Sequence, residues 1–449
     1  MAYLLNLIYL VVLAAFLPVL VFQRWFRGKK RPGFWTKFTG RVSPRKKNSR
    51  PCVWIHAVSL GEIHLIRSLV ERLESELAEM DIVISTSTAT GLKAARKHFG
   101  SHQIILFPFD FTWAIRSVIA RIRPSMVVLA ELEIWPNLLA ECQRQSILTS
   151  LVNGRLSQAS LEKYKRWRFV FSHVFRSLDL VCVRNERVQQ RFLELGVPAT
   201  KLVVTGNLKF DQLIVDKEVL PTQRLRVLAD VRESQTVFLA GSTQAPEEEL
   251  AIGAYKELSG RFPSLRLFLC PRHPERFDEV AALLIENQLP FQRRSELPLE
   301  SHAGSAESPE ATERVWLIDS VGELKYWWGV SDIALVGGSF GDRGGQNMLE
   351  PAALGAAVCF GPHTQNYAEE VESLLSENAA VQLREGWELT DFVRRCCDSK
   401  ALRETLGDQS RKVVQRQLLE PNSATDQTVG ALVKSIVSSP KCEKKSTAA

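Results

Sequence analysis

From residue 51 onward, short runs of consecutive apolar residues alternate with stretches of helical period, the pattern of parallel α/β units. In the first half the apolar runs fall at 52–58, 81–86, 104–107, 126–130, 147–152, 179–183 and 202–205. Between the first two, Ile63, Ile66, Val70, Leu73 and Leu77 recur at helical spacing and predict a helix over 62–78. A second series lies near 236–240, 265–270, 315–318, 333–337 and 357–360. Residues 212–235 lack a strand run and read as a connection, and 297–314 (LPLESHAGSAESPEATER) read as an exposed loop. The pattern predicts an α/β protein with two open parallel sheets. One Rossmann-like domain spans 51–211, a linker 212–235, and a second Rossmann-like domain 236–436, followed by a polar tail at 437–449.

The opening of the chain has a different pattern. Residues 2–22 (AYLLNLIYLVVLAAFLPVLVF) carry no charge, and a helix of that length covers roughly 30 Å. This predicts a membrane anchor over residues 1–22, with a buried core helix as the alternative; Asn6 and Pro18 interrupt its apolar character. Residues 23–50 then hold eleven Lys and Arg and no Asp or Glu. Positive charge after the apolar run, and no small-residue cleavage site, argue against a signal peptide. The positive-inside rule places the rest of the chain in the cytoplasm, as a single-pass protein.

Composition changes this picture little. The 449 residues are 45% hydrophobic and 24% charged, as in globular proteins. The net charge of +7 is accounted for by the arm at 23–50, which leaves the remainder slightly acidic. An anionic membrane surface is therefore the expected partner, and nucleic acid is not. The eight cysteines show no C-x-x-C spacing, so neither a metal site nor a disulfide framework is expected.

Candidate chemistry sits where strands end, because open parallel sheets bind ligands beyond the carboxyl ends of their strands. There is no G-x-G-x-x-G after the first strand and no P-loop, H-E-x-x-H or G-x-S-x-G motif. The first strand runs instead into His56-Ala-Val-Ser-Leu-Gly-Glu62. Later strand ends carry Glu131-Leu-Glu133-Ile-Trp135-Pro-Asn137, Asn153-Gly-Arg155-Leu-Ser157 and Gly206-Asn-Leu-Lys209-Phe-Asp211. In the second half come Gly241-Ser-Thr243, Pro271-Arg-His-Pro-Glu-Arg276, Asp319-Ser-Val-Gly-Glu-Leu324 and GGSFGDRGGQNMLEP over 337–351. The glycines of the last segment free backbone N–H groups, and a helix starting near Met348, capped by Asn347, offers an anion site with Glu350 in its first turn. Ser59 and Glu62 have capping-box spacing, and Glu350 is also simply what a helix dipole favours. His56 reads as a core histidine. Taken together, two carboxylates and a lysine opposite a nucleotide cradle suit transfer of a sugar.

This set of motifs resembles the 3-deoxy-D-manno-octulosonic acid (Kdo) transferases of lipopolysaccharide synthesis, in order, from the N-terminal apolar segment to about residue 370. The resemblance implies a GT-B glycosyltransferase fold, with the acceptor domain first and the nucleotide-sugar domain second, facing a cleft. It implies inverting transfer of Kdo from CMP-Kdo to a lipid A precursor, at the bacterial inner membrane, without metal or cofactor. The base would be Glu62, with Glu131 and Lys209 stabilising the transition state. Donor contacts would map to Pro271 and Arg272, to Gly322, Glu323 and Leu324, and to Asn347, Met348, Leu349 and Glu350. The chain departs from the family pattern at Gln244-Ala245-Pro246, at Gln346 in place of His, and at Met348 in place of Pro. These departures leave open a GT-B transferase that uses a different nucleotide sugar on a membrane glycolipid. An epimerase of like architecture has no need of an anchor, and an inert lipid-binding scaffold has no need of Glu62 or Lys209.

Overall fold

In the computed structural model, residues 2–26, 33–46, 50–298, 315–418 and 423–438 are described. The chain divides into two units, Met1–Gln212 together with Glu420–Ala449, and Leu213–Leu419. Most of the predicted loop 297–314 and of the tail 437–449, and nine residues of the basic arm, lie outside the described residues.

The first unit is built on seven strands: β1 (Cys52–His56), β2 (Asp81–Thr86), β3 (Gln103–Leu106), β4 (Met126–Ala130), β5 (Leu148–Gly154), β6 (Leu180–Val183) and β7 (Leu202–Val204). They pair in parallel in the order β3-β2-β1-β4-β5-β6-β7. Side chains alternate between the two faces of a strand, so Trp54, Val127 and Leu129 enter one core cluster while Val53, Ile55 and Val128 enter the other. Both faces are covered, which is why these strands read as unbroken apolar runs. The predicted helix over 62–78 is two helices, Leu60–Leu65 and Arg67–Glu76, joined at Ile66, whose ψ of 2° interrupts the regular turn.

The second unit carries β8 (Thr236–Thr243), β9 (Leu265–Pro271), β10 (Phe291–Arg293), β11 (Val315–Leu317), β12 (Ile333–Val336), β13 (Ala357–Phe360) and β14 (Ala380–Gln382). Their order is β10-β11-β9-β8-β12-β13-β14, again parallel. Strands β10 and β14 were not apparent from periodicity. Each has three residues at a sheet edge, too few for a pattern of period two to register. The expected linker contains a helix, Leu220–Leu228, whose Thr222 hydroxyl donates to the Tyr326 carbonyl at 3.2 Å within this unit.

The predicted second domain is too long by its last helix. Ala424–Val437 belongs to the first unit, where Val429 and Leu432 are buried in the same cluster as Val53 and Ile55. Asp211 accepts from the Thr425 N–H at 2.6 Å, and Arg72 pairs with Asp426 at 2.8 Å, fastening the start of that helix.

The N-terminal segment forms a helix over Ala2–Phe26. Among the described residues no helix is long and apolar enough to cross a membrane, so the expected single-pass anchor finds no support there. Asn6, read as a blemish in an anchor, is 6% exposed. Its amide donates to Thr112 Oγ1 at 2.7 Å, and its carbonyl oxygen accepts from the Thr112 N–H and Asn137 Nδ2, each at 3.2 Å. Tyr3, Leu4, Leu7, Val11 and Phe16 of the same helix are exposed, as is Trp35 in the short helix Phe34–Thr39.

Candidate functional site

In the first unit the sheet order reverses between β1 and β4, and a reversal is where open α/β sheets leave a crevice at the strand ends. Glu62 follows β1 and Glu131 follows β4, so topology brings the two motif carboxylates to this point. Ser59 ends the turn after β1. Its hydroxyl caps the Glu62 N–H at 3.4 Å and donates to Glu62 Oε1 at 3.1 Å, while the Val58 N–H donates to Glu62 Oε2 at 2.8 Å. The capping reading of Glu62 is therefore correct and fixes where its carboxylate sits. It leaves lone pairs on both oxygens for a further donor. Burial raises its pKa, and the neighbouring Glu131 charge adds to the rise.

Glu131 adopts φ of 57°, in the left-handed region, which turns the chain sharply off β4. Its two oxygens are held by Arg155 Nε at 2.9 Å and Arg184 Nη2 at 2.8 Å. Both oxygens of Glu131 are thus taken up by guanidinium donors, which Glu62 lacks. Glu133 accepts from Trp135 Nε1 at 3.0 Å. Burial, with the Glu62 charge next in importance, pushes it up to about 7. Sequence reading gave no role to Arg155, although it lies in a quoted motif, and missed Arg184, which sits at the end of β6 outside every motif.

The lysine motif is tied to the same strand ends. Asn153, at the end of β5, accepts from the Leu208 N–H at 3.1 Å through Oδ1, and its carbonyl accepts from Arg184 Nε at 3.3 Å. Lys209 is partly buried, with its N–H donating to Asn207 Oδ1 at 3.1 Å. His56 is fully buried, stacked on Phe107 at 3.7 Å between ring centroids, and burial holds its pKa down to about 3. A neutral core histidine is what remains.

The second unit places its motifs around the β8/β12 reversal. Glu247, 1% exposed, accepts from the N–H groups of Gln244, Gly338, Ser339 and Phe340 at 2.9, 2.7, 2.7 and 3.0 Å. It closes the glycine-rich segment against the turn after β8; sequence reading missed this role. Gly337 is required there, since a Cβ would come within 2.5 Å of the Ser242 carbonyl oxygen.

Glu350 accepts from Asn347 Nδ2 at 3.1 Å. Burial raises its pKa, opposed in part by the charges of Arg272 and Lys325, which lie near it. The helix expected here is only five residues, Leu349–Ala353, too short to gather much dipole. Asn347 Oδ1 does accept from the Leu349 N–H, at 3.2 Å. Met348 and Leu349 are buried, as is Pro271 at the end of β9, so their side chains serve the core and only backbone is left for a ligand. Gly322, with φ of 93°, shapes the turn that carries Glu323 and Leu324. Among the described residues no group of three or more His, Cys, Asp or Glu is arranged to hold a metal ion.

Residues 29–212 match the family described as 3-Deoxy-D-manno-octulosonic-acid transferase (kdotransferase). The chain is 32% identical over 369 residues to a 3-deoxy-D-manno-octulosonic acid transferase of Haemophilus influenzae, covering 81% of this chain and 83% of the relative. It is 32% identical over 421 residues to the enzyme of that name from Bordetella pertussis, covering 90% and 94%. A glycosyltransferase from Rickettsia africae has the same fold, with a TM-score of 0.55 at 13% identity, covering 87% of this chain and 99% of its own. Two parallel-sheet units of the GT-B kind, motif carboxylates at the first sheet's reversal and this degree of identity over most of the length lead to one assignment: the chain belongs to the 3-deoxy-D-manno-octulosonic acid transferase family of glycosyltransferases.

Proposed function

We propose that this Kdo transferase moves Kdo from CMP-Kdo to a lipid A precursor with inversion, using Glu62 as general base and no metal. The observation that carries the reading is the pairing of roles at the first sheet's reversal. Both oxygens of Glu131 are engaged by Arg155 and Arg184, while Glu62 is held in place, bears a raised pKa and keeps lone pairs free. An acceptor hydroxyl gives its proton to Glu62 as its oxygen bonds to the anomeric carbon of Kdo. The bond from that carbon to the phosphate of CMP breaks on the opposite face, and CMP leaves with the electron pair. Lys209 meets negative charge on the donor side. Arg272 and the glycine-rich segment 337–345 take the phosphate, and Glu350 accepts from the ribose hydroxyls.

Attachment to the cytoplasmic face of the inner membrane would run through the exposed apolar side chains of the helix Ala2–Phe26 and the basic residues that follow it. The test is to incubate the full-length protein in detergent with CMP-Kdo and a lipid A precursor and weigh the product. A mass gain of whole Kdo units is expected. Gain from another nucleotide sugar, and none from CMP-Kdo, would replace the donor.

A further inference from the structure

Glu323 is not free to reach a ligand on its own terms. Its two oxygens are gripped in a fork by Arg294, Nε to Oε2 and Nη2 to Oε1, both at 2.9 Å, and the Ser320 hydroxyl donates to Oε2 at 2.6 Å. Arg294 is 4% exposed and stands in the turn just after β10, outside every motif. Its neighbours act on the other end of the same turn. The Ser295 N–H and hydroxyl donate to the two oxygens of Asp319 at 2.7 and 2.6 Å, and Arg293 lies 3.7 Å from Asp319. Three consecutive residues thus hold Asp319 and Glu323, the two ends of the turn at 319–323. What the turn presents outward is bare: Val321 is 80% exposed, and a Cβ on Gly322 would meet nothing within 4 Å. Strands β9 and β11 pair side by side with Leu269 opposite Leu317, so this turn and the arginine assigned to the phosphate, Arg272, follow the ends of neighbouring strands.

We propose that Arg294 is a positioning residue for the donor, holding Glu323 so that the backbone of Ser320–Glu323 forms the edge on which a pyrimidine nucleoside monophosphate rests. This deepens the donor side of the function proposed above and rests on it. A bidentate fork fixes direction as well as distance, which a point charge cannot do. Replacing arginine by lysine should therefore keep the charge and lose the alignment.

The experiment is calorimetric titration of the full-length protein in detergent with CMP, alongside donor kinetics. Arg294→Lys should weaken CMP binding roughly tenfold, the scale of one charge-assisted hydrogen bond. Arg294→Met should weaken it further. The KM for CMP-Kdo should rise in step, with kcat and the acceptor KM within about twofold of wild type. If Arg294 served the fold alone, fewer molecules would bind CMP and those that did would bind as tightly as wild type. Unchanged affinity with reduced stoichiometry, or unchanged affinity outright in both variants, overturns the proposal and leaves the donor assignment standing. Failure of the wild-type protein to bind CMP sinks the donor assignment and this inference with it.

Discussion

At the scale of single residues, the site separates three carboxylates by what surrounds each. Glu131 is matched by two guanidiniums, Glu62 by a backbone N–H and a hydroxyl, and Glu133 by one indole N–H. Glu133 is raised to about 7, chiefly by burial, and an unfolded glutamate titrates near 4.3. A carboxyl with a raised folded pKa weakens the fold as pH rises from its unfolded value through its folded one. The stability of Glu133→Gln relative to wild type should therefore climb between about pH 4.5 and 7 and level off above. Urea midpoints across that range check this, and a flat difference would show that Glu133 titrates normally. The motif around Glu62 was legible because a strand end and a cap coincide within seven residues. Arg184 was not, because it meets Glu131 across 53 positions of sequence and nothing local marks it.

At the scale of elements, the loop bearing Glu131 and Glu133 runs straight into the helix Pro136–Arg144, whose start is built by distant residues. Asp110 accepts from the N–H groups of Asn137 and Leu138, both at 2.9 Å, and Asn6 accepts from the Asn137 amide. The N-terminal helix is in this way fastened beneath the site loop. Asn6→Leu would strand the Thr112 N–H and leave the Asn137 amide only its bond to the Asp110 carbonyl, at a cost of about 1–3 kcal/mol. Denaturant unfolding should show that loss, and turnover should fall with it; an unaltered midpoint would mean the helix does not dock as described. In the second unit, Glu247→Ala would free the N–H groups of Gly338, Ser339 and Phe340. CMP affinity should drop by tenfold or more, about 1.4 kcal/mol or above, while a titration indistinguishable from wild type would remove Glu247 from the donor cradle. The central strands were readable since they are apolar on both faces. The edges β10 and β14 and the break at Ile66 were not, being decided by pairing and packing that a local pattern does not carry.

At the scale of the whole molecule, the chain builds one unit, then the other, and returns to finish the first with Ala424–Val437. Apolar periodicity announces such a helix without saying which core will take it, which is why it was assigned to the wrong domain. Leu432 is fully buried in the first unit's core, so Leu432→Ala should cost about 2–5 kcal/mol. Hydrogen exchange should quicken in β1, β4 and β5 and stay unchanged in β8 and β9; the reverse pattern would place the helix elsewhere. The central claim is that Glu62, and not its neighbour, takes the proton. Turnover of CMP-Kdo on a lipid A precursor by Glu62→Ala and by Glu133→Ala, each compared with wild type, tests it most directly. Loss of about 10²-fold or more in Glu62→Ala, with Glu133→Ala retaining most of its rate, is the predicted result, and near-normal turnover by Glu62→Ala would contradict it.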